Sequence, residues 1–306
     1  MSIHHLIGGV REPSPRDTTF LPAFAAPIGV TLEDIPWDEW YLANLAPFQF
    51  QDSAGACVAH GFTDTIDSDA RNCGAMIVVK TNGDLLEVPA VDGLIPSYPD
   101  SCRMDVYYGG RRYRGWEKED SGLLMSDAAR WLEEEGVIPE AWWPYDSRKV
   151  TTETPPNDDA TRRTRALNRV RFRSLPMTPH AAAVFLATER RGCPVSFRVG
   201  PSYVEDAAKD GWMRDSSVEA NLGGHCEWLC GASKKIVVPG YGPGAVLMRG
   251  SWRRSAFKGA PHGLYKRHDR FSSEEYGYTW VPFALLAKST VFWEVFGLVQ
   301  GLEVEV

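Results

Sequence analysis

The chain has 306 residues, 43% hydrophobic and 24% charged, with 33 Lys and Arg against 40 Asp and Glu for a formal net charge of -7. That balance describes an ordinary globular protein of one large domain or two packed lobes. It argues against a nucleic-acid binder, whose phosphate contacts need a basic face; the basic clusters at Arg111, Arg112 and Arg114 and between Arg162 and Arg173 read as solvated surface.

The six cysteines, at 57, 73, 102, 193, 226 and 230, form no CxxC pair and are too sparse for a disulfide scaffold. They read as mostly free thiols in a reducing compartment. The opening MSIHHLIGGVREPSPRD lacks a basic segment followed by an apolar run, and no stretch approaches the roughly 18 apolar residues of a membrane span. A cytoplasmic location is expected, or a place in a phage or secreted particle reached without a cleavable signal peptide.

In chain order, residues 1–45 form an extended N-terminal lead-in, rich in Pro and hydrophobics. A first helix starts near Ala56, with Val58, Ala59, Phe62 and Ile66 on its apolar stripe and Asp64, Asp67 and Asp69 elsewhere. MIVVKTNGDLLEV predicts a hairpin turning at Asn82-Gly83. A second helix covers about Leu124 to Glu135, stopped by Gly136. The polar, Pro-containing stretch Asp146 to Thr161 reads as a boundary between lobes. A short helix follows from His180 to Arg190, then strands at Pro194–Val199, His225–Cys230, Lys235–Pro239, Ala245–Met248, Gly263–Lys266 and Tyr278–Val281. Helices first and strands later predict an α+β protein with a helical lobe at 46–160, a β-rich lobe at 161–290 and a C-terminal extension at 291–306. The tryptophans at 37, 40, 142, 143, 280 and 293 read as packing rather than sugar-stacking platforms.

The chemistry concentrates at QDSAGACVAHG, Gln51 to Gly61. A thiol attacks only as thiolate, and a helix N-terminus beside a histidine lowers its ordinary pKa of about 8.5. Small residues before Cys57 admit a substrate backbone. Gln51, six residues upstream, offers a side-chain N–H which, with the Cys57 backbone N–H, suits an oxyanion hole. Taken alone, such a cysteine is more often a small core hydrophobe. Of the seven histidines, His60 reads as a core residue. His225, in NLGGHCEWLCGA, follows Gly223 and Gly224 and opens an apolar strand, so its ring can face a cleft. Strand alternation puts Cys226 on the opposite face from His225, against a zinc site; no metal or cofactor is expected.

Six segments in register resemble the papain-like cysteine peptidases, closest to bacterial and phage members without a long prosegment. They are QDSAGACVAHG, EKEDSGLLMSDAARWLEEEGVIPEAWWPYD, GCPVSFRV, GGHCEWLCGA, VLMRGSWRRSAFKGAPHGLYKRH and YTWVPFALL, spanning about residues 45–285. The resemblance implies a two-lobe fold, helical lobe against a β-barrel-like lobe, with the active site in the cleft between them. It implies Cys57 as nucleophile, His225 as base and Gln51 as oxyanion donor. Ser121, Gly122 and Gly224 would line the substrate, and Trp252 would shield the histidine.

Three positions depart from the family pattern. Val58 replaces the usual Trp, Ala54 replaces a disulfide cysteine, and Gly250 stands where the family has the asparagine that orients the imidazole. Water, a backbone carbonyl, Ser251 or Arg249 are the candidate substitutes, and Gly250→Asn should then raise turnover. A lead-in of 45 residues is too short for an inhibitory prosegment of about a hundred. The expected activity is thiol-dependent cleavage of peptide bonds or peptidoglycan cross-links. The alternative is a weak or inactive papain-fold module that binds within a larger assembly such as a phage tail; Gly250, the uncut N-terminus and the hydrophobic end VFWEVFGLVQGLEVEV speak for it.

Overall fold

The computed structural model describes residues 30–43, 45–72, 76–80, 84–88, 99–204, 211–252 and 277–300. Nine strands and six helices follow in the order β1 (Trp37–Leu42), α1 (Cys57–Asn72), β2 (Met76–Lys80), β3 (Leu85–Val88), α2 (Arg103–Arg112), α3 (Met125–Glu134), α4 (Asp159–Leu167), β4 (Arg171–Ser174), α5 (Ala181–Glu189), β5 (Cys193–Val199), β6 (Gly223–Val238), β7 (Gly242–Arg249), β8 (Tyr278–Pro282), α6 (Phe283–Leu286) and β9 (Phe292–Gln300). The fold is α+β, as expected.

The sheet is antiparallel and ordered β3-β2-β1-β6-β5-β9-β4, with β7 on β6 and β8 on β7. Strand β6 is its spine: it pairs with β5 through residues 223–229, with β1 through 231–233 and with β7 from Trp228 onward. The two separate strands expected at 225–230 and 235–239 are one, because the small residues between them carry register shifts rather than a turn. Strand β9 lies between β5 and β4, so the C-terminal stretch 292–300 is interior to the sheet and is not a free edge. The expected turn at Asn82-Gly83 and strand Gly263–Lys266 lie outside the described residues.

Two hydrophobic cores result. One gathers Trp40, Phe197, Trp228, Leu247 and Phe292 around the sheet. The other gathers Phe62, Tyr107, Met125, Leu132 and Phe172 among α1, α2 and α3. Trp40, Trp143 and Trp280 are buried, whereas Trp142 is exposed.

Helix α1 joins the cores and is buried nearly all round, from Cys57 to Ser68. The expected one-sided stripe is therefore corrected: Asp64 and Asp67 are buried too. The helix is wedged between β6 on one side and α2 and α3 on the other, so it has no solvated face. Thr63 and Thr65 return their hydroxyls to the Ala59 and Gly61 carbonyls.

Three helices escaped the sequence pattern: α2, α4 and the short α6. In α2, Gly109 lets α3 approach so closely that an added Cβ would lie 2.7 Å from Trp131 Cε3 and nearer still to two other ring atoms. In α4, capped by Asp158 on the Thr161 N–H at 2.7 Å, Arg165 reaches inward to Asp105 at 2.6 Å. Arg111 is likewise fully buried, not solvated; its guanidinium lies 3.7 Å over the Tyr107 ring and donates to the Tyr107, Glu119 and Val150 carbonyls. Gly136 ends α3 at φ 88°, as its position predicted.

The buried carboxyl of Asp67 is pushed up to about 8 by burial, although it accepts the Ser101 N–H at 2.9 Å. A folded-state pKa above the unfolded value of about 3.9 means the folded chain binds the extra proton. This site therefore costs stability as pH rises from about 4 to 8. Asp67→Asn keeps the acceptor without the charge and should raise stability at pH 8 by at least about 1 kcal/mol. The gain should vanish near pH 4 in parallel thermal melts.

Candidate active site

Cys57 is the first residue of α1, where the helix presents unsatisfied N–H groups. The helix lies against β6 because residue 61 is glycine: a Cβ there would meet Cys226 Sγ at 3.0 Å and the Glu227 carbonyl oxygen at 3.4 Å. At the helix start, the backbone N–H groups of Cys226 and Val58 point at the Cys57 thiol. The thiol thus sits against the strand that carries His225, one residue from it.

The imidazole of His225 is held from several sides. Trp252 stacks on it with ring centres 3.7 Å apart and planes 22° from parallel, and Phe197 meets it edge-on at 5.7 Å. Its Nε2 lies 3.4 Å from Glu227 Oε1, longer than a well-formed hydrogen bond; neither ring nitrogen has another partner among the described residues. Glu227 Oε1 also accepts the Tyr203 hydroxyl at 2.5 Å. Strand alternation puts residues 225 and 227 on one face and Cys226 on the other, where it joins the helical core.

Gln51 is fixed by its neighbours. Its Oε1 accepts from Ser251 Oγ at 2.6 Å, and its Nε2 donates to the Ala54 carbonyl at 3.0 Å. An amide carries two N–H bonds, so one remains for an oxyanion. The Gln51 carbonyl accepts the Tyr145 hydroxyl at 2.6 Å. Asp120 Oδ1 accepts both the Tyr107 hydroxyl and the Gly55 N–H, the latter at 2.9 Å, which ties the Ser121-Gly122 turn to the loop before Cys57. Gly122 takes φ 77° and donates its N–H to Tyr107 at 3.3 Å.

Of the substitutes considered for the missing asparagine, Ser251 is engaged by Gln51 and Arg249 donates to the Ala46 carbonyl at 2.9 Å. The group actually beside the imidazole is Glu227, which the sequence reading overlooked. The signal was a carboxylate two residues after the histidine on the same strand.

The site is closed: Gln51, Cys57 and His225 have no exposed surface, and Trp252 is 3% exposed. Gly224 is buried and Ser121 half-buried. The expected open cleft and depressed thiol pKa are not what this state shows. Burial pushes the Cys57 thiol up to about 12, against the pull of the Cys226 and Val58 N–H groups; the Glu227 carboxylate adds to the rise. Burial lowers the His225 imidazole, partly offset by Glu227. Thiol and imidazole are both neutral at pH 7. His60 is buried with its ring edge-on to Tyr145 at 4.8 Å, lowered by burial and then by Arg103. Cys57, Cys102, Cys193, Cys226 and Cys230 are all buried thiols without disulfides. Among the described residues, no group of three or more His, Cys, Asp and Glu could hold a metal ion, and no helix is long and apolar enough to cross a membrane.

Solved structures share this architecture. Xylellain, a cysteine protease from Xylella fastidiosa, superposes with a TM-score of 0.63 at 15% identity, over 97% of this chain and 92% of that one. The fold is papain-like. The digestive procathepsin L2 proteinase of Tenebrio molitor larval midgut matches at 0.62 and 16%, covering 97% and 78% of the two chains. The proCathepsin B S9 of Trypanosoma congolense matches at 0.56 and 14%, covering 98% and 88%. No protein-family model and no curated protein matches the sequence, so the likeness lies in the papain-like fold rather than in close sequence kinship.

Because burial is the leading cause of the lowered His225 pKa, Trp252→Ala should admit water to the ring and move that pKa upward, toward or past about 6.5. An NMR titration of the His225 ring reads this directly; a downward move would contradict it.

Proposed function

We propose that the chain is a thiol-dependent peptidase acting through an acyl-enzyme on Cys57. What supports this reading is a helix-terminal thiol set against the Cys226 backbone of the strand that also carries His225, with the His225 imidazole under Trp252. The papain-like fold supports it.

In the proposed reaction, His225 takes the Cys57 proton and the sulfur attacks the peptide carbonyl carbon. The oxyanion rests on the Cys57 backbone N–H and the second N–H of Gln51. As the tetrahedral intermediate collapses, the imidazolium returns its proton to the leaving amine and a thioester remains. His225 then deprotonates a water that attacks the thioester, releasing the acid and restoring the thiol. The substrate is a peptide amide, in a protein or in a peptidoglycan cross-link. Ser121, Gly122 and Gly224 form the wall along which its backbone runs. With no exposed surface at the thiol or the imidazole, turnover requires the site to open, which also lowers the Cys57 pKa by hydrating the thiolate.

The same closure favours a second reading, a papain-fold module that binds a partner and cleaves nothing. Cysteine alkylation separates the two, because five cysteines are equally buried and burial pushes Cys102, Cys193 and Cys226 well above their ordinary range. If Cys57 is the nucleophile, iodoacetamide on native protein labels it first, and His225→Ala slows that labelling about 100-fold or more. Cys57→Ser then abolishes peptide hydrolysis. Labelling of Cys57 only on denaturation, together with the buried Cys102, Cys193, Cys226 and Cys230, gives the module reading.

A further inference from the structure

The geometry points to Glu227 as the residue that positions the His225 imidazole, and to Gly250 as the vacancy that its carboxylate requires. This deepens the peptidase reading and rests on it for its catalytic consequence. The register of β6 and β7 pairs Trp228 with Arg249, and its next step brings Gly250 beside Glu227. A Cβ built on Gly250 would lie 2.9 Å from Glu227 Cδ, 3.3 Å from Oε2 and closer still to Oε1. The backbone at Gly250 is not among the positive-φ glycines, so conformation does not demand glycine there; space does. The volume of the usual asparagine side chain is filled from the neighbouring strand by a carboxylate.

That carboxylate is equipped to orient the ring. Glu227 is 1% exposed and is fixed by the Tyr203 hydroxyl on Oε1, while Oε2 has no partner among the described residues. Oε1 faces His225 Nε2, the nitrogen that must carry the proton if Nδ1 is to accept the one from Cys57. An ionised carboxylate only accepts hydrogen bonds, so it selects the Nε2–H tautomer as an asparagine carbonyl does. It also stabilises the imidazolium formed when the thiol proton transfers, which an amide does more weakly.

The inference reverses the expectation that an asparagine at 250 restores activity. Gly250→Asn alone should lower turnover, because its Cβ displaces the Glu227 carboxylate. Glu227→Ala should lower kcat about 100-fold or more with KM nearly unchanged. Combining Glu227→Ala with Gly250→Asn, which vacates the space and refills it with an amide, should recover at least about tenfold over Glu227→Ala. Higher turnover in Gly250→Asn than in the parent overturns the proposal, as does an unchanged kcat in Glu227→Ala. Nitrogen-15 NMR of the histidine rings tests the same contact whether or not any peptide is cleaved. His225 should be the Nε2–H tautomer in the parent and in the isosteric Glu227→Gln, and a mixture in Glu227→Ala. An Nδ1–H tautomer in the parent overturns the positioning role. Preserved tautomerism with no peptide cleavage and an inert Cys57 removes the peptidase reading alone.

Discussion

The seam between helix α1 and strand β6 is the constraint on which the site depends. Gly61 removes the side chain that would hold the two apart, and the helix comes to rest with its first turn against residues 225–227. Every polar element of the site hangs from that seam: the thiol on the helix end, the N–H of Cys226 turned toward it, the imidazole and carboxylate on the strand's other face. Cys57 and His225 are 168 residues apart in sequence, so the contact between helix α1 and strand β6 is held by two cores rather than by local structure. This is why α1 tolerates buried Asp64 and Asp67: its position is set by packing on all sides, and burial raises both carboxyls to about 6 and about 8.

Closure and reactivity oppose each other here. Burial pushes the thiol up to about 12, so the neutral thiol is the favoured form at pH 7. Burial acts on the acid and the base in opposite directions, raising Cys57 and lowering His225, and so favours the pair in which neither is charged. Helix end and backbone N–H groups favour thiolate, but they are the smaller influence while water is excluded. A chain built this way has the charge separation between thiol and imidazole suppressed. Burial of both groups is the leading cause of these opposed shifts.

Much of the fold was legible from pattern. Helices α1, α3 and α5 and strands β5 and β8 stand within about two residues of their predicted ranges, because each carries a period or a stop such as Gly136. Helices α2 and α4 were hidden in part for a shared reason: their inner faces include residues that usually face water, in α2 beside Met104, Val106 and Tyr107. Arg111 and Arg165 are buried by donating to carbonyls or to Asp105, and Gly109 contributes closeness instead of bulk. Cys57, Gln51, His225 and Trp252 were proposed from motif and spacing. Glu227 was not, since nothing in a linear pattern shows that a carboxylate on one strand occupies the space left by a glycine on the next.

Moving the orienting group from the end of β7 to β6 changes what fixes the ring. An asparagine at 250 would reach the histidine across two strands, and its aim would depend on their register. Glu227 shares a strand and a face with His225, so the pleat of one strand sets their spacing. The freedom that remains is in the glutamate's longer side chain, and Tyr203 removes part of it by donating to the same oxygen that faces the imidazole. The arrangement exchanges dependence on register for dependence on an empty position at 250. It also brings a charge where the family pattern has a dipole: the carboxylate favours the imidazolium and at the same time opposes the thiolate. A site of this kind is better suited to moving the proton as the sulfur attacks than to storing a separated ion pair beforehand.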